Sequence, residues 1–114
     1  MPIRRLRAES DIRAVFASRS AEHGSAMTVR SRRRGDTAPG RAAVTAGRRV
    51  GGAVQRNRAK RRLRAALATA TVPPGTDVVI VARPATLTVS FGALTAELSD
   101  LLARVALRGQ AGAT

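Results

Sequence analysis

The spacing of apolar residues predicts a helix near each end of the chain. After Ser10, a candidate N-cap, apolar residues recur at helical spacing up to about Ala17, and they are Ile12, Val15 and Phe16. After Ser90, a second candidate N-cap, a longer apolar stripe extends to about Leu107 and contains Phe91, Leu94, Leu98, Leu101, Leu102 and Val105. Both stripes predict amphipathic helices that bury one face.

Between these helices, residues 26–32 alternate in a way that predicts a half-buried strand. Met27 and Val29 fall on one side of this strand, and the other side carries Thr28, Arg30 and Arg32. A segment rich in Gly, Pro and Asp at 33–40 predicts a hairpin loop. This loop would lead directly to a second, Ala-rich strand at 41–47.

Residues 78–81 form a continuous β-branched run, which predicts a central strand buried on both faces. Residues 86–89 are a candidate for one further strand. The predicted order is α-β-β-α-β-α in a single domain of 114 residues. We therefore expect the α+β class, in which helices pack on a sheet. Residues 1–7 and 109–114 are expected to be poorly ordered.

A third helix is predicted at about 53–70, between two glycines and the Pro73-Pro74-Gly75 stop. At about 100° per residue, one arc of this helix is apolar and contains Ala59, Leu63, Ala66 and Ala70. A second arc contains Asn57, Lys60, Arg61 and Arg64. Like charges four residues apart destabilise a helix by roughly 0.2–0.5 kcal/mol per pair, and no acid lies nearby to offset them. This arc therefore favours binding of a polyanion over a merely solvated face.

The overall charge supports the same interpretation. The chain has 21 Lys and Arg residues against seven acids, a formal net charge of +14, and no acid between Asp36 and Asp77. Such a clustered charge indicates a polyanionic partner, with nucleic acid ahead of an anionic membrane surface.

Several classes of protein are disfavoured by composition. The chain has no Cys and one His, so a disulfide framework, a thiolate site and a His-cluster metal site are excluded. No apolar run approaches the roughly 18 residues of a membrane span, and no secretory signal is recognisable. We expect a cytoplasmic protein. Glu97 and Asp100 read as a surface pair and His23 as a loop residue, so no catalytic residue is predicted in the protein.

Residues 48–64, with the sequence RRVGGAVQRNRAKRRLR, resemble the signature of the bacterial ribonuclease P protein component. That family carries a basic pair followed by V/I-G-x-A-V-x-R-N-R-x-K-R-x-x-R. The resemblance extends to the basicity of the chain, the early Val15-Phe16 pair, the central hydrophobic strand and the Leu-rich last helix.

The resemblance implies a small α/β sandwich of ribosomal-protein-like fold with a left-handed β-α-β crossover. It also implies a protein subunit that assists a catalytic RNA in removing the 5′ leader of precursor tRNA. The partners would be ribonuclease P RNA and precursor tRNA. Mg²⁺ would be held mainly by the RNA, with none bound by the protein alone, and the free protein would be a monomer. The expected RNA-binding residues are Arg48, Arg49, Arg56, Asn57, Arg58, Lys60, Arg61, Arg62 and Arg64.

The family also implies a cleft for the single-stranded leader between the first helix and the sheet. The expected cleft residues are Ile12, Phe16, Met27 and Val29, of which only Phe16 offers a π face for stacking. Two alternatives stay open from the residues themselves. One is a ribosomal or RNA-chaperone protein without associated cleavage, and the other, more weakly supported, is a duplex DNA-binding protein.

Overall fold

The computed structural model describes residues 4–112, with the side chains of 109–112 excepted, as a five-stranded mixed sheet between helical layers. The strands are β1 (Arg4–Arg5), β2 (Ser20–His23), β3 (Met27–Arg33), β4 (Arg41–Thr45) and β5 (Thr76–Ala82). The helices are α1 (Glu9–Ala17), α2 (Ala53–Leu67) and α3 (Phe91–Gly112), with short 3₁₀ turns at Arg48–Val50 and Pro84–Leu87.

The strand order is β1-β4-β5-β3-β2, so the β-branched run lies in the central strand β5, as predicted. Strand β5 pairs antiparallel with β3 and parallel with β4. Parallel neighbours need a crossover, and α2 supplies the one between β4 and β5. The crossover is therefore confirmed, while its left-handed sense stays a prediction.

The two faces of the sheet bury different helices. On one face, α1 packs through Val15 in a small cluster with Leu6 and Val79. On the other face, α2 and α3 cover the main core, which contains Met27, Val29, Leu63, Val78, Ile80, Leu94, Leu98 and Leu101. Because side chains alternate along a strand, neighbours such as Val79 and Ile80 belong to different layers.

Three local predictions are wrong. Helix α1 begins at Glu9 after an extended Ala8, so Ser10 lies inside its first turn and is not the N-cap. Residues 33–40 do not close a hairpin, because β5 lies between β3 and β4, and the hairpin partner of β3 is the short strand β2. Residues 86–89 do not form a strand, because the chain after Pro84 turns in a 3₁₀ helix.

The predicted cap of α3 is confirmed, and the predicted end of α2 is close to the observed one. Ser90 caps α3, since its Oγ accepts a hydrogen bond from the backbone N–H of Ala93 at 3.1 Å. Helix α2 ends at Leu67, three residues before the predicted end.

The two ends that were expected to be poorly ordered contain regular structure where they are described. Residues 4–7 contain β1 and the buried Leu6, and α3 continues through 109–112. Residues 1–3 and 113–114 lie outside the described residues.

Candidate nucleic-acid interface

Two glycines, Gly51 and Gly52, shape the tight backbone turn that precedes α2. The 3₁₀ turn at Arg48–Val50 ends at Gly51, whose φ is 138°. A Cβ at this position would lie 2.9 Å from the Cβ of Gln55, so both the conformation and the space require glycine. Gly52 is the N-cap and offers no side-chain acceptor, which leaves the positive end of the helix dipole open to an external anion.

Helix α2 places its apolar arc and its polar arc as the periodicity predicts. Ala59, Leu63 and Ala66 are fully buried against the sheet and α3. Eight polar residues of this region are exposed or half-buried and form what we call the basic surface: Arg48, Arg49, Arg56, Asn57, Arg58, Lys60, Arg61 and Arg64. The structure thus brings together eight of the nine residues that were expected to bind RNA.

Arg62, the ninth residue, faces the protein. Its Nε donates a hydrogen bond to the carbonyl of Thr86 at 2.9 Å, and its Nη2 donates to the carbonyl of Val89. These carbonyls belong to the segment between β5 and α3, so the Arg62 side chain ties α2 to that segment. The family signature leaves position 62 unspecified, and sequence reasoning placed Arg62 in the RNA-binding set only because it lies in a charge run.

The acids of the protein are all engaged away from the basic surface. Ion pairs or hydrogen bonds to other groups occupy Glu9, Asp11, Glu22, Asp36, Asp77, Glu97 and Asp100. In the part of the chain that the structure describes, no residue of the basic surface pairs with a carboxylate. The positive potential of this surface is therefore not neutralised within the protein.

The most buried acid, Asp77, forms ion pairs with three other arginines. Its side chain is 0% exposed and accepts hydrogen bonds from Arg41 at 2.7 and 2.8 Å, from Arg32 at 3.0 Å and from Arg34 at 2.5 Å. Burial alone raises the pKa of Asp77, but the three guanidinium groups outweigh it and hold the pKa below its usual value. Arg41 consequently does not belong to the basic surface, although it precedes α2 in the acid-free part of the sequence.

The residues expected for a leader cleft do not lie together. Met27 and Val29 are 0% exposed and face α2 and α3, on the opposite side of the sheet from α1. The prediction that they line a cleft with Phe16 is wrong, because the alternate residues of β3 are the ones that face α1. Ile12 is half-buried against the α1 side of the sheet.

Sequence reasoning missed Arg30, which is the partner of Phe16. The Phe16 side chain is 40% exposed, and the Arg30 guanidinium lies 5.1 Å from the centre of its ring, within the range of a cation–π contact. The alternation of β3 was the signal that could have found it, because Arg30 shares the face opposite to Met27 and Val29.

Neither the Glu97 and Asp100 pair nor His23 forms a site for chemistry by the protein. Glu97 is not a surface partner of Asp100, because its carboxylate accepts hydrogen bonds from Ser25 and Ala26 and holds the turn between β2 and β3. His23 lies in β2, not in a loop, and its Nδ1 is 3.3 Å from Thr28 Oγ1.

Two further observations concern metals and membranes. Among residues 4–112, the structure shows no group of three or more His, Asp or Glu side chains arranged to hold a metal ion. The described helices also include none that is both long and apolar enough to cross a bilayer.

A five-stranded α+β sandwich with an exposed, unneutralised cationic helix defines the protein as one of the nucleic-acid-binding class. A family model described as Ribonuclease P matches residues 2–106. The chain belongs to the ribonuclease P protein family, and it is a protein subunit of that ribonucleoprotein, with a role in tRNA processing.

Individual relatives agree along most of the chain. The curated ribonuclease P protein component of Acidothermus cellulolyticus is 39% identical over 104 residues, which covers 89% of this chain and 87% of the relative. That of Symbiobacterium thermophilum is 34% identical over 110 residues and covers 95% and 96%, respectively.

Solved structures agree with this assignment. The ribonuclease P protein of Thermotoga maritima superposes with a TM-score of 0.72 at 26% identity, covering 88% of this chain and 96% of that one. That of Staphylococcus aureus has the same fold, with a TM-score of 0.72 at 16% identity over 89% and 94% of the two chains.

Proposed function

We propose that the protein binds ribonuclease P RNA through the basic surface and assists RNA-catalysed removal of the 5′ leader from precursor tRNA. The observation that carries this proposal is the row of cations on α2, which has hydrophobic backing and no carboxylate partner in the described residues. A helix held rigidly on a sheet presents its guanidinium groups at defined positions, so phosphate binding requires little ordering of the protein.

The residue types of the basic surface suit an RNA backbone. Arginine binds phosphate with two parallel hydrogen bonds, and Asn57 adds a neutral side chain that both donates and accepts. Each phosphate that is neutralised releases counterions from the RNA, so the affinity depends steeply on salt.

The leader is proposed to follow the α1 side of the sheet, where Phe16 and Arg30 form a small platform. The exposed part of the Phe16 ring can stack on one unpaired base, and Arg30 can contact the neighbouring phosphate. With one aromatic residue on this platform, stacking contributes less to leader affinity than contacts to the backbone.

The chemistry of cleavage is assigned to the RNA partner and to the Mg²⁺ that it holds. The acids of the protein do not suit a divalent cation, because arginines already occupy the carboxylates that come near one another. Asp77 and Asp11, for example, share Arg32 and Arg41 between them. The contribution of the protein is instead to reduce repulsion between the RNA subunit and its substrate, which lowers the Mg²⁺ concentration that the reaction needs.

The test is reconstitution with ribonuclease P RNA and precursor tRNA at low Mg²⁺. The protein is expected to stimulate leader removal, and an Arg58→Ala/Arg61→Ala variant is expected to lose most of this stimulation. The matched control is Arg13→Ala/Arg104→Ala, which removes the same charge from two exposed ion pairs on other helices. Absence of stimulation together with tight binding to an unrelated ribosomal RNA would instead favour a ribosomal or chaperone role.

We also propose that the free protein is a monomer and acts in the cytoplasm. A net charge of +14 opposes self-association at low ionic strength. Sedimentation equilibrium at physiological salt should give the mass of a single chain, and a dimer mass would contradict the proposal.

A further inference from the structure

A cleft of about 860 Å³ opens at the β1 edge of the sheet, between the N-terminal segment and the end of α2. Its volume falls in the range of about 300–1,000 Å³ that is typical of ligand sites. Four exposed arginines surround it: Arg4, Arg5 and Arg7 from the N-terminal segment and Arg64 from the basic surface. No sequence motif predicted a function for the first three.

The lining of this cleft is cationic at its opening and apolar at its floor. In the described part of the chain, no carboxylate lines the cleft, and none forms an ion pair with these four arginines. Below them lie apolar side chains that stay partly exposed, including Leu67 at the end of α2. A cleft built for stability alone would place carboxylates among the arginines or close over the apolar surface.

The backbone adds hydrogen-bonding groups to the cleft. Strand β1 pairs with β4 only at Arg41 and Ala42, so the outer edge of β4 is unpaired beyond that point among the described residues. The carbonyl of Ala42 accepts from Leu6 on this edge. Backbone groups of alternate residues in a strand point to the same side. The N–H and C=O of Val44, which lines the cleft, therefore point to the same edge of β4 as the carbonyl of Ala42. An edge of this kind offers a donor and an acceptor to a base or a ribose hydroxyl.

We propose that this cleft holds an unpaired segment of ribonuclease P RNA, with phosphates on the four arginines and a nucleoside on the apolar floor. The inference rests on the proposed function, because Arg64 belongs to both sites and makes the cleft continuous with the basic surface. An RNA that lies along α2 therefore reaches the cleft without leaving the protein. An A-form duplex would contact only the arginines at the opening, so the recessed floor selects an unpaired strand.

The test measures binding of ribonuclease P RNA alone, without substrate. An Arg5→Ala/Arg7→Ala variant removes two cations that belong only to the cleft. It is expected to weaken binding by roughly five- to twentyfold and to reduce the slope of log K against log salt by about 0.7 per lost phosphate contact. The Arg13→Ala/Arg104→Ala control has the same net charge and should stay within about twofold of the parent protein.

A second variant changes the shape of the cleft and leaves the charge as it is. Ala68 is exposed, lies at the end of α2 and lines the cleft, so Ala68→Leu reduces its volume without disturbing the core. This variant is expected to weaken RNA binding severalfold, whereas Ala103→Leu, at an exposed position of α3, should leave binding unchanged.

The outcomes separate this inference from the proposed function. If Arg58→Ala/Arg61→Ala weakens binding while the cleft variants behave like their controls, the cleft holds no RNA and the basic surface still does. If none of these variants affects binding, the proposed function fails as well. If the cleft variants affect only precursor tRNA, and more strongly as its leader is lengthened, the occupant is the substrate and the assignment to the RNA subunit is overturned.

Discussion

Arg61 and Arg62 are adjacent in the sequence, but Arg61 is exposed to solvent and Arg62 contacts the segment between β5 and α3. Alanine substitutions at the two positions should therefore separate RNA binding from folding. Arg62→Ala removes the hydrogen bonds to the carbonyls of Thr86 and Val89. Each hydrogen bond from a charged donor contributes about 1.5–3 kcal/mol. Because the side chain is only half-buried and the two bonds are not independent, we expect a total loss of about 2–4 kcal/mol.

The two variants should differ in both measurements. For Arg62→Ala, a loss near 3 kcal/mol lowers the Tm by roughly 10 °C in a domain of this size. For Arg61→Ala, the side chain is exposed, so the stability should change by no more than about 0.5 kcal/mol. The effects on RNA affinity should be the reverse of the effects on stability. Arg61→Ala should lower the affinity and reduce the slope of log K against log salt by about one, whereas folded Arg62→Ala should bind nearly as well as the parent protein.

Urea unfolding followed by circular dichroism gives the free energy of unfolding, and RNA titrations in several salt concentrations give the affinity. The titrations are done where each variant is at least nine-tenths folded, so that unfolded protein does not imitate weak binding. Our assignment is refuted if Arg62→Ala keeps the parent stability and loses as much RNA affinity as Arg61→Ala.

Three further substitutions test the interior. Asp77→Asn removes the common partner of three arginines and should cost about 3–5 kcal/mol of unfolding free energy. Because the pKa of Asp77 is lowered in the folded protein, this stabilisation is present above about pH 4 and is lost as the pH falls. The difference in urea-unfolding free energy between parent and variant should therefore narrow in acid, and a constant difference would contradict the ion-pair account. Leu98→Ala, at a fully buried position, should cost about 2–5 kcal/mol with little change in RNA affinity of the folded protein, and a parent-like Tm would exclude it from the core. Gly75→Ala should lower the Tm clearly, because φ is +70° and a Cβ would lie 2.1 Å from the Asp36 carbonyl oxygen; an unchanged Tm would show that this turn relaxes.

The sequence alone determined the features that depend on local periodicity. The faces of α2 and the long stripe of α3 follow from the helical spacing of three or four residues, which the backbone geometry imposes wherever those residues lie. The central position of β5 follows from its continuous β-branched run. The motif at 48–64 predicted which residues share an exposed surface, because six of the eight residues of the basic surface are neighbours on α2.

The tertiary structure alone decided which layer each face meets and which distant groups come together. Alternation separated Met27 and Val29 from Arg30, but only the sheet order shows that α1 covers the Arg30 side. Strand β5 enters between β3 and β4 from more than 30 residues away and brings Asp77 to Arg41.

Tertiary structure alone also decided the contacts of Arg62 and of the arginines around the cleft. Their roles depend on the segment after β5 and on the pairing of β1 with β4, and contacts between segments so far apart in the chain leave no periodic signal in the sequence. Local patterns specify which residues share a surface, whereas the packing of distant segments decides whether that surface faces solvent, another layer or a counter-charge.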